Sequence, residues 1–220
     1  MAARQSNVHW MDEAGFVVHA GMQAVRKIAA GAIEGYRSLF SADENLRFGY
    51  YRDRGIAYTE RGHYQKAAEL LENALQARPD DLECLFHMGF CCIKLERTAD
   101  GVGYLELARE LEPGSVRISS ILGMAYIQSK EFEKAVEMLK AAIKANPGNF
   151  NLNYRLGVAY DNLKKFEKAM EAFNRALEIR PNESKVHQSI GFVLEQMGEH
   201  TEAVVHFKRA MELSEDRKRK

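Results

Sequence analysis

The feature that most constrains this chain is a repeat of 34 residues. Five glycines occur at that spacing: Gly55, Gly89, Gly123, Gly157 and Gly191. All four prolines follow the same step: Pro79, Pro113, Pro147 and Pro181. Self-similarity at a fixed period of this length indicates a solenoid, in which one small structural unit is stacked many times and the core grows along one axis.

Each unit contains two stretches of apolar residues at helical spacing, separated by a short turn. With position 1 at Phe48, the units are 48–81, 82–115, 116–149, 150–183 and 184–217. Position 8 is always glycine, and position 20 is alanine in every unit but the second, which has Gly101. We expect positions 8 and 20 to face each other, so that Gly157 contacts Ala169 and the two backbones approach closely. Proline at position 32 ends the second helix, and an Asn or Asp after it can cap the next one.

This alternation of small and large residues is the tetratricopeptide repeat (TPR) pattern, here in five tandem copies. We therefore predict an all-α TPR solenoid of five helix–turn–helix repeats plus a degenerate N-terminal repeat. The predicted domains are a degenerate unit at 1–47, an arm of repeats 1 and 2 at 48–115, an arm of repeats 3 to 5 at 116–217, and a basic tail at 218–220. An unrelated helical bundle is the alternative to this fold.

The second repeat departs from the others because its second helix contains both Gly101 and Gly103. Each glycine in a helix costs about 1 kcal/mol relative to alanine. We consider two interpretations: a hinge near residues 97–115 that separates the two arms, or one ordinary helix of lower stability.

Both ends of the array carry apolar residues that need an explanation. Residues 1–47 are either a simple cap on the first repeat or a mobile pair of helices that docks on another subunit. At the other end the array has no capping helix, so that surface is either solvated or covered by a partner. The predicted docking residues are Val17, Val25, Ile28, Ile33, Tyr36 and Phe40, and the exposed C-terminal end is predicted at Val204 and Met211.

Composition and motifs argue against several classes of function. The 31 basic and 31 acidic residues are interleaved, so no basic field attracts nucleic acid. No P-loop, G-x-S-x-G or H-E-x-x-H motif occurs, and we expect no enzyme activity, no cofactor and no metal site. We interpret the three cysteines, Cys84, Cys91 and Cys92, as ordinary thiols in the core or near the surface. No signal-peptide core and no run of 18 apolar residues is present, so we expect a cytoplasmic protein that is at most peripheral to a membrane.

Protein binding on the repeat surface is the remaining function. In TPR proteins, positions 2, 5, 9 and 12 of the first helix line a concave groove. Here that set mixes apolar and aromatic residues with a few cations, which suits an amphipathic peptide or helix. Position 9 is Ile56 and Phe90 where the chaperone-binding carboxylate clamp has asparagine, so a chaperone adaptor is disfavoured. The predicted groove residues are Arg52, Ile56, Phe86, Phe90, Ile93, Arg117, Met124, Asn151, Tyr154, Asp161, Lys185, Gln188 and Phe192.

Several strings resemble one particular TPR family. They are YYRDRGIAY (50–58), NPGNFNLNYRLGVAYDNLKKFEKA (146–169), RPNESKVH (180–187), EQMGEHTEA (195–203) and HFKRA (206–210). These resemble the MamA family, the magnetosome-associated TPR proteins of magnetotactic bacteria. The resemblance extends over about residues 41–213 and is strongest in the last two repeats. Asp161, Asn162 and His187 lie at positions that the TPR fold does not dictate, so the match exceeds shared architecture.

The resemblance implies a non-enzymatic scaffold on the cytoplasmic side of the magnetosome membrane. Members of the family assemble into large homo-oligomers and present a surface to other magnetosome proteins. The resemblance further implies that the N-terminal unit of one subunit binds the groove of the next, and that Arg52 is a groove residue needed for assembly. Membrane attachment is expected to be through protein partners. Two alternatives remain: a monomeric TPR adaptor that holds one client peptide, and direct lipid binding by the basic tail.

Overall fold

The computed structural model of the chain describes residues 15–25 and 44–218. This part of the chain forms eleven α-helices and contains no β-strand. The helices are α1 (15–25), α2 (Glu44–Glu60), α3 (Tyr64–Ala77), α4 (Leu82–Lys94), α5 (Thr98–Leu111), α6 (Val116–Gln128), α7 (Phe132–Ala145), α8 (Phe150–Asn162), α9 (Phe166–Ile179), α10 (Ser184–Met197) and α11 (His200–Lys218). From α2 onwards, the ten helices correspond in order to the first and second helices of the five predicted repeats.

The chain divides into two compact units between Cys91 and Cys92, within α4. In the first unit, α2 packs against α3, and the side chains of Leu70, Leu71 and Ala74 are almost fully buried. Thr59 lies in this core, where its hydroxyl donates to the Gly55 carbonyl at 2.9 Å and lies 3.2 Å from the Cys91 sulfur. All three cysteines are buried and belong to the core, one of the two positions predicted for them.

The second unit contains three complete helix pairs in sequence: α6 with α7, α8 with α9, and α10 with α11. Successive pairs stack on each other: α7 packs on α8, and α9 packs on α10. One core cluster joins Phe173 of α9 to Val186 and Ile190 of α10, all with no exposed surface. Burying a side chain of this size contributes about 1.5–3 kcal/mol, so stacking of neighbouring pairs is a main source of stability.

The glycine at position 8 is explained by a contact that the sequence did not predict. A methyl group added at Gly157 would lie 2.5 Å from two carbons of the Phe173 ring, at position 24 of the same repeat. Gly55, Gly123 and Gly191 face the position-24 side chain in the same way, at 2.6–2.7 Å. The predicted approach to position 20 is seen at Gly123, where the Ala135 carbonyl oxygen lies 3.6 Å from the added methyl group. The contact of Gly157 with Ala169 stays a prediction. Glycine is required because a large side chain lies directly on the helix backbone.

The helices end where the sequence places its breakers. Each proline follows the second helix of its repeat after one intervening residue, as at Ala77 and Pro79. Asn149 caps α8 by accepting from the Leu152 amide at 3.2 Å, and Asp81 accepts from the Cys84 amide at 2.9 Å. Position 15 of every repeat has a positive φ, which the sequence analysis did not foresee: Gly62, Glu96, Lys130, Lys164 and Gly198.

Gly101 and Gly103 both lie inside the continuous helix α5. Gly101 is buried, whereas Gly103 is exposed and has open space where a side chain would begin. The hinge near residues 97–115 and the division into arms at residue 115 stay predictions.

Candidate protein-binding surface

The predicted groove residue Arg52 lies on α2 in the first unit. Its side chain is 37% exposed, and its Nε donates to Asp53 Oδ1 at 2.9 Å. The guanidinium also lies 5.3 Å from the centre of the Phe48 ring. The hydrogen bond to Asp53 raises the pKa of Arg52, so the side chain is a fixed cation. Ile56, one turn further along α2, is half-buried.

The other apolar groove residues predicted in this part of the sequence are less accessible. Phe86 is only 7% exposed, and its ring contacts His87 edge-on at 5.3 Å. Phe90 is half-buried and packs edge-on against Tyr64 at 6.0 Å. Ile93, which belongs to the second unit, is 4% exposed. Phe86 and Ile93 were expected on the groove surface, but both side chains belong to the buried core and leave little surface for a ligand.

In the second unit, the first helices of three repeats lie side by side. α8 contacts α6 on one side and α10 on the other. The Tyr154 hydroxyl of α8 lies 3.5 Å from Ser189 Oγ of α10, and the Tyr154 ring is fixed by Phe150 and Phe173. We call the surface formed by positions 2, 5, 6, 9 and 12 of these three helices the inner face. Its exposed members from the predicted set are Arg117, Asn151, Lys185, Gln188 and Phe192.

A polar chain crosses one edge of the inner face. Gln196 of α10 donates through Nε2 to Asp161 Oδ1 at 3.2 Å and accepts from Lys164 Nζ through Oε1 at 2.6 Å. Burial raises the pKa of Asp161, while the charge of Lys164 acts in the opposite direction. These bonds join α8 to α10, so Asp161 helps to position the two helices, and its predicted role in binding stays a prediction.

Arg155 is a charged residue on the inner face that the sequence analysis missed. It is half-buried on α8, and its Nη2 donates to the sulfur of Met124, on α6, at 3.4 Å. Within the described ranges no carboxylate pairs with it, and burial alone lowers its pKa. A cation next to a groove position within an apolar helix face was the signal that could have identified it. A desolvated guanidinium that lacks an anion favours a ligand that supplies one.

Exposed apolar side chains also occur at both ends of the described chain. On α1, Val17 and Val25 are 65% and 67% exposed, whereas Phe16 is buried against Tyr50 and Tyr51. On α11, Val204 and Met211 are 62% and 65% exposed. The predicted docking residues Ile28, Ile33, Tyr36 and Phe40 lie outside the described residues, as do the side chains of the tail at 218–220.

Two features of the described residues bear on the predicted absence of a metal site and of a reactive cysteine. No group of three or more His, Cys, Asp or Glu side chains converges as a metal site within them. Burial and the neighbouring Asp81 carboxylate raise the pKa of Cys84, so its thiol stays protonated. In residues 15–25 and 44–218, no helix has the length and apolar character needed to cross a membrane.

Comparison with known proteins supports the repeat structure and indicates which group of tetratricopeptide repeat proteins the chain resembles in sequence and structure. A family model described as tetratricopeptide repeat matches residues 58–125 and 126–190, and a second with the same description matches residues 184–217. A solved structure of MamA from strain MSR-1 is 41% identical and superposes with a TM-score of 0.74. It covers 78% of this chain, and this chain covers 98% of it.

The chain belongs to the MamA family of tetratricopeptide repeat proteins. A MamA structure from strain AMB-1 is 42% identical, with a TM-score of 0.72, covering 78% of this chain and 93% of that one. MamA residues 41 to the end from Desulfovibrio magneticus RS-1 give 28% identity, a TM-score of 0.73, and coverage of 77% and 96%. The predicted fold class and the resemblance to MamA are therefore both confirmed.

The curated MamA sequences match over a shorter stretch. "Magnetosome protein MamA" of Magnetospirillum gryphiswaldense is 39% identical over 89 residues, which is 40% of this chain and 40% of that protein. The protein of the same name from Paramagnetospirillum magneticum is 38% identical over the same length and share. In these alignments the chain spans about 40% of the length of the curated relatives.

Proposed function

We propose that this protein is a non-enzymatic scaffold that assembles into homo-oligomers on the cytoplasmic face of the magnetosome membrane and recruits other magnetosome proteins there. The observation that carries this proposal is the inner face of the second unit. There, Phe192 is 53% exposed, and no carboxylate of the described residues pairs with Arg155.

The chemistry of the inner face defines the ligand that it suits. Phe192 is 53% exposed, a large apolar surface for one side chain, and aromatic residues of this kind are common anchors in protein interfaces. Arg117 and Lys185 are exposed at the N-terminal ends of α6 and α10. An amphipathic helix or peptide with apolar residues and at least one carboxylate matches both features.

Self-assembly is proposed through the N-terminal segment of one copy and the groove of the next. The exposed valines of α1 belong to the N-terminal segment that would bind the groove of a second copy, where Arg52 is the expected contact. Such a contact joins two different surfaces, so it is heterologous and can grow without closing. The apolar C-terminal end formed by Val204 and Met211 would remain for another partner.

The proposed location rests on the family. The curated relatives are named magnetosome proteins. We propose that this chain is held peripherally at the same organelle by protein partners, and that the repeats act as a binding platform.

A second candidate function is a monomeric adaptor that holds one client peptide. The packing of Phe16 on Tyr50 and Tyr51 favours it, because α1 then covers the first repeat of its own chain as a cap would. In this alternative the inner face is the client site and the N-terminal segment takes no part in assembly.

Light scattering on a sizing column separates the two candidates. We expect large particles for the full chain and monomers for a chain that begins at Ser41, with equal helix content per residue by circular dichroism. Monomers in both cases would remove self-assembly and leave the adaptor. Large particles in both cases would show that the N-terminal segment is not the assembly element.

A further inference from the structure

Two histidines that are distant in sequence meet between the last two helices. His187 lies on α10 and His206 on α11, and their Nδ1 atoms are 3.2 Å apart. The ring centres are 5.3 Å apart, and the ring planes are inclined by 36°. We propose that this pair binds a divalent transition-metal ion such as Zn²⁺ through the two Nδ1 atoms.

The hydrogen bonds around His187 prepare one of the two ligands. Its Nε2 lies 3.2 Å from the carbonyl oxygen of Pro181. A carbonyl only accepts, so Nε2 carries the hydrogen and the neutral ring has a free lone pair on Nδ1. Metal-binding histidines usually donate their second nitrogen to a carbonyl or carboxylate in this way, which fixes the ring and its tautomer.

The separation of the two nitrogens also fits chelation. Zn–N bonds of about 2.0–2.1 Å at a tetrahedral angle place two ligand nitrogens about 3.3 Å apart. The observed 3.2 Å is close to that value, so small rotations of the rings suffice to admit the ion beside the line that joins them. Imidazole nitrogen is a preferred ligand for zinc, copper and nickel, whereas Mg²⁺ and Ca²⁺ prefer oxygen.

The proton balance of binding is simple near neutral pH. Without metal, His206 donates its Nδ1 hydrogen to the lone pair of His187. Burial and the neighbouring His187 lower the pKa of His206, so the ring is neutral at pH 7 even though Glu202 acts in the opposite direction. When metal binds, the hydrogen of His206 moves from Nδ1 to Nε2, and no proton is released. The described residues provide no cluster of three His, Cys, Asp or Glu side chains, so water fills the other coordination positions of the ion.

Bound metal would join α10 to α11 and so stabilise the terminal repeat. We expect saturable binding of one Zn²⁺ per full chain in calorimetry at pH 7, and a higher melting temperature in the presence of Zn²⁺. His206→Gln and His187→Gln should each weaken binding at least tenfold. His200→Gln is the matched control, because His200 is an exposed histidine on the same helix, and this variant should bind like the parent. Mg²⁺ should produce no heat.

The outcome that overturns the proposal is an absence of saturable binding at millimolar Zn²⁺, or equal affinity in all three variants. Should the substitutions unfold the terminal repeat, the parent chain provides the test through the ¹⁵N signals of its imidazole nitrogens. Zn²⁺ should shift the Nδ1 signals of His187 and His206 together. A shift confined to other histidines would contradict the site.

Discussion

At the scale of single residues, the repeat depends on one steric relation between positions 8 and 24. Gly157 and Phe173 show it most clearly, because the aromatic ring lies on the helix backbone at the glycine and is itself fully buried. The same relation joins Gly123 to Leu139. The period of 34 residues in the sequence therefore reflects a contact between two helices that recurs in repeats 1, 3, 4 and 5.

Gly157→Ala should destabilise the protein by about 1–3 kcal/mol, because the new methyl group overlaps the Phe173 ring and a packed core has no room to yield. The shift of the urea unfolding midpoint measures this loss. Gly148→Ala is the control, since nothing lies within 4 Å of the position that its methyl group would occupy. Equal midpoints for the two variants would show that the ring moves aside freely.

The sequence revealed which positions are small and which are large, but not that the large side chain at position 24 lies against the glycine. Ala169 and Phe173 are both buried on α9, and the crossing of α8 and α9 determines that the Phe173 ring lies on Gly157. The left-handed backbone conformation at position 15 was not predicted, for a different reason. Lys130 and Lys164 adopt that conformation without the glycine that usually signals it, so composition provided no cue.

At the scale of whole helices, the prolines and the apolar periodicity were sufficient to place the ten helices of the five repeats. The N-terminal segment was harder to predict because it lacks the proline. Within α1, Phe16 is buried whereas its neighbour Val17 is exposed, since the aromatic pair Tyr50 and Tyr51 offers a matching surface for a ring. That choice depends on α2 and cannot be read from α1 alone.

Helix α5 provides a test of the cost of its glycines. Gly103→Ala should raise the free energy of unfolding by about 0.5–1 kcal/mol, because the site is exposed and helical and has open space for a methyl group. Chemical denaturation measures the change. Ala141→Gly, at an exposed position of α7, should lower stability by a similar amount. A loss of stability in Gly103→Ala would show that this position needs glycine.

At the scale of the whole molecule, the family and the fold could be predicted from the sequence. Phe192 and Lys185 are exposed, as the repeat register predicts for these positions, and their role in binding stays a prediction. Arg155 and the pair of His187 and His206 escaped prediction. Each depends on a contact with a side chain of another helix, 19 or more residues away in the sequence. The spacing of residues along one helix does not predict such contacts.

The most direct test of the scaffold is the particle size of the full chain measured by light scattering, beside the variants Arg52→Glu and Arg61→Glu. Both variants make the same change of charge in the first unit, but only Arg52 is an expected groove contact. We predict large particles for the parent and for Arg61→Glu, and much smaller ones for Arg52→Glu at an unchanged helix content. A monomeric parent chain, or an Arg52→Glu variant that is folded and as large as the parent, would contradict self-assembly through the groove.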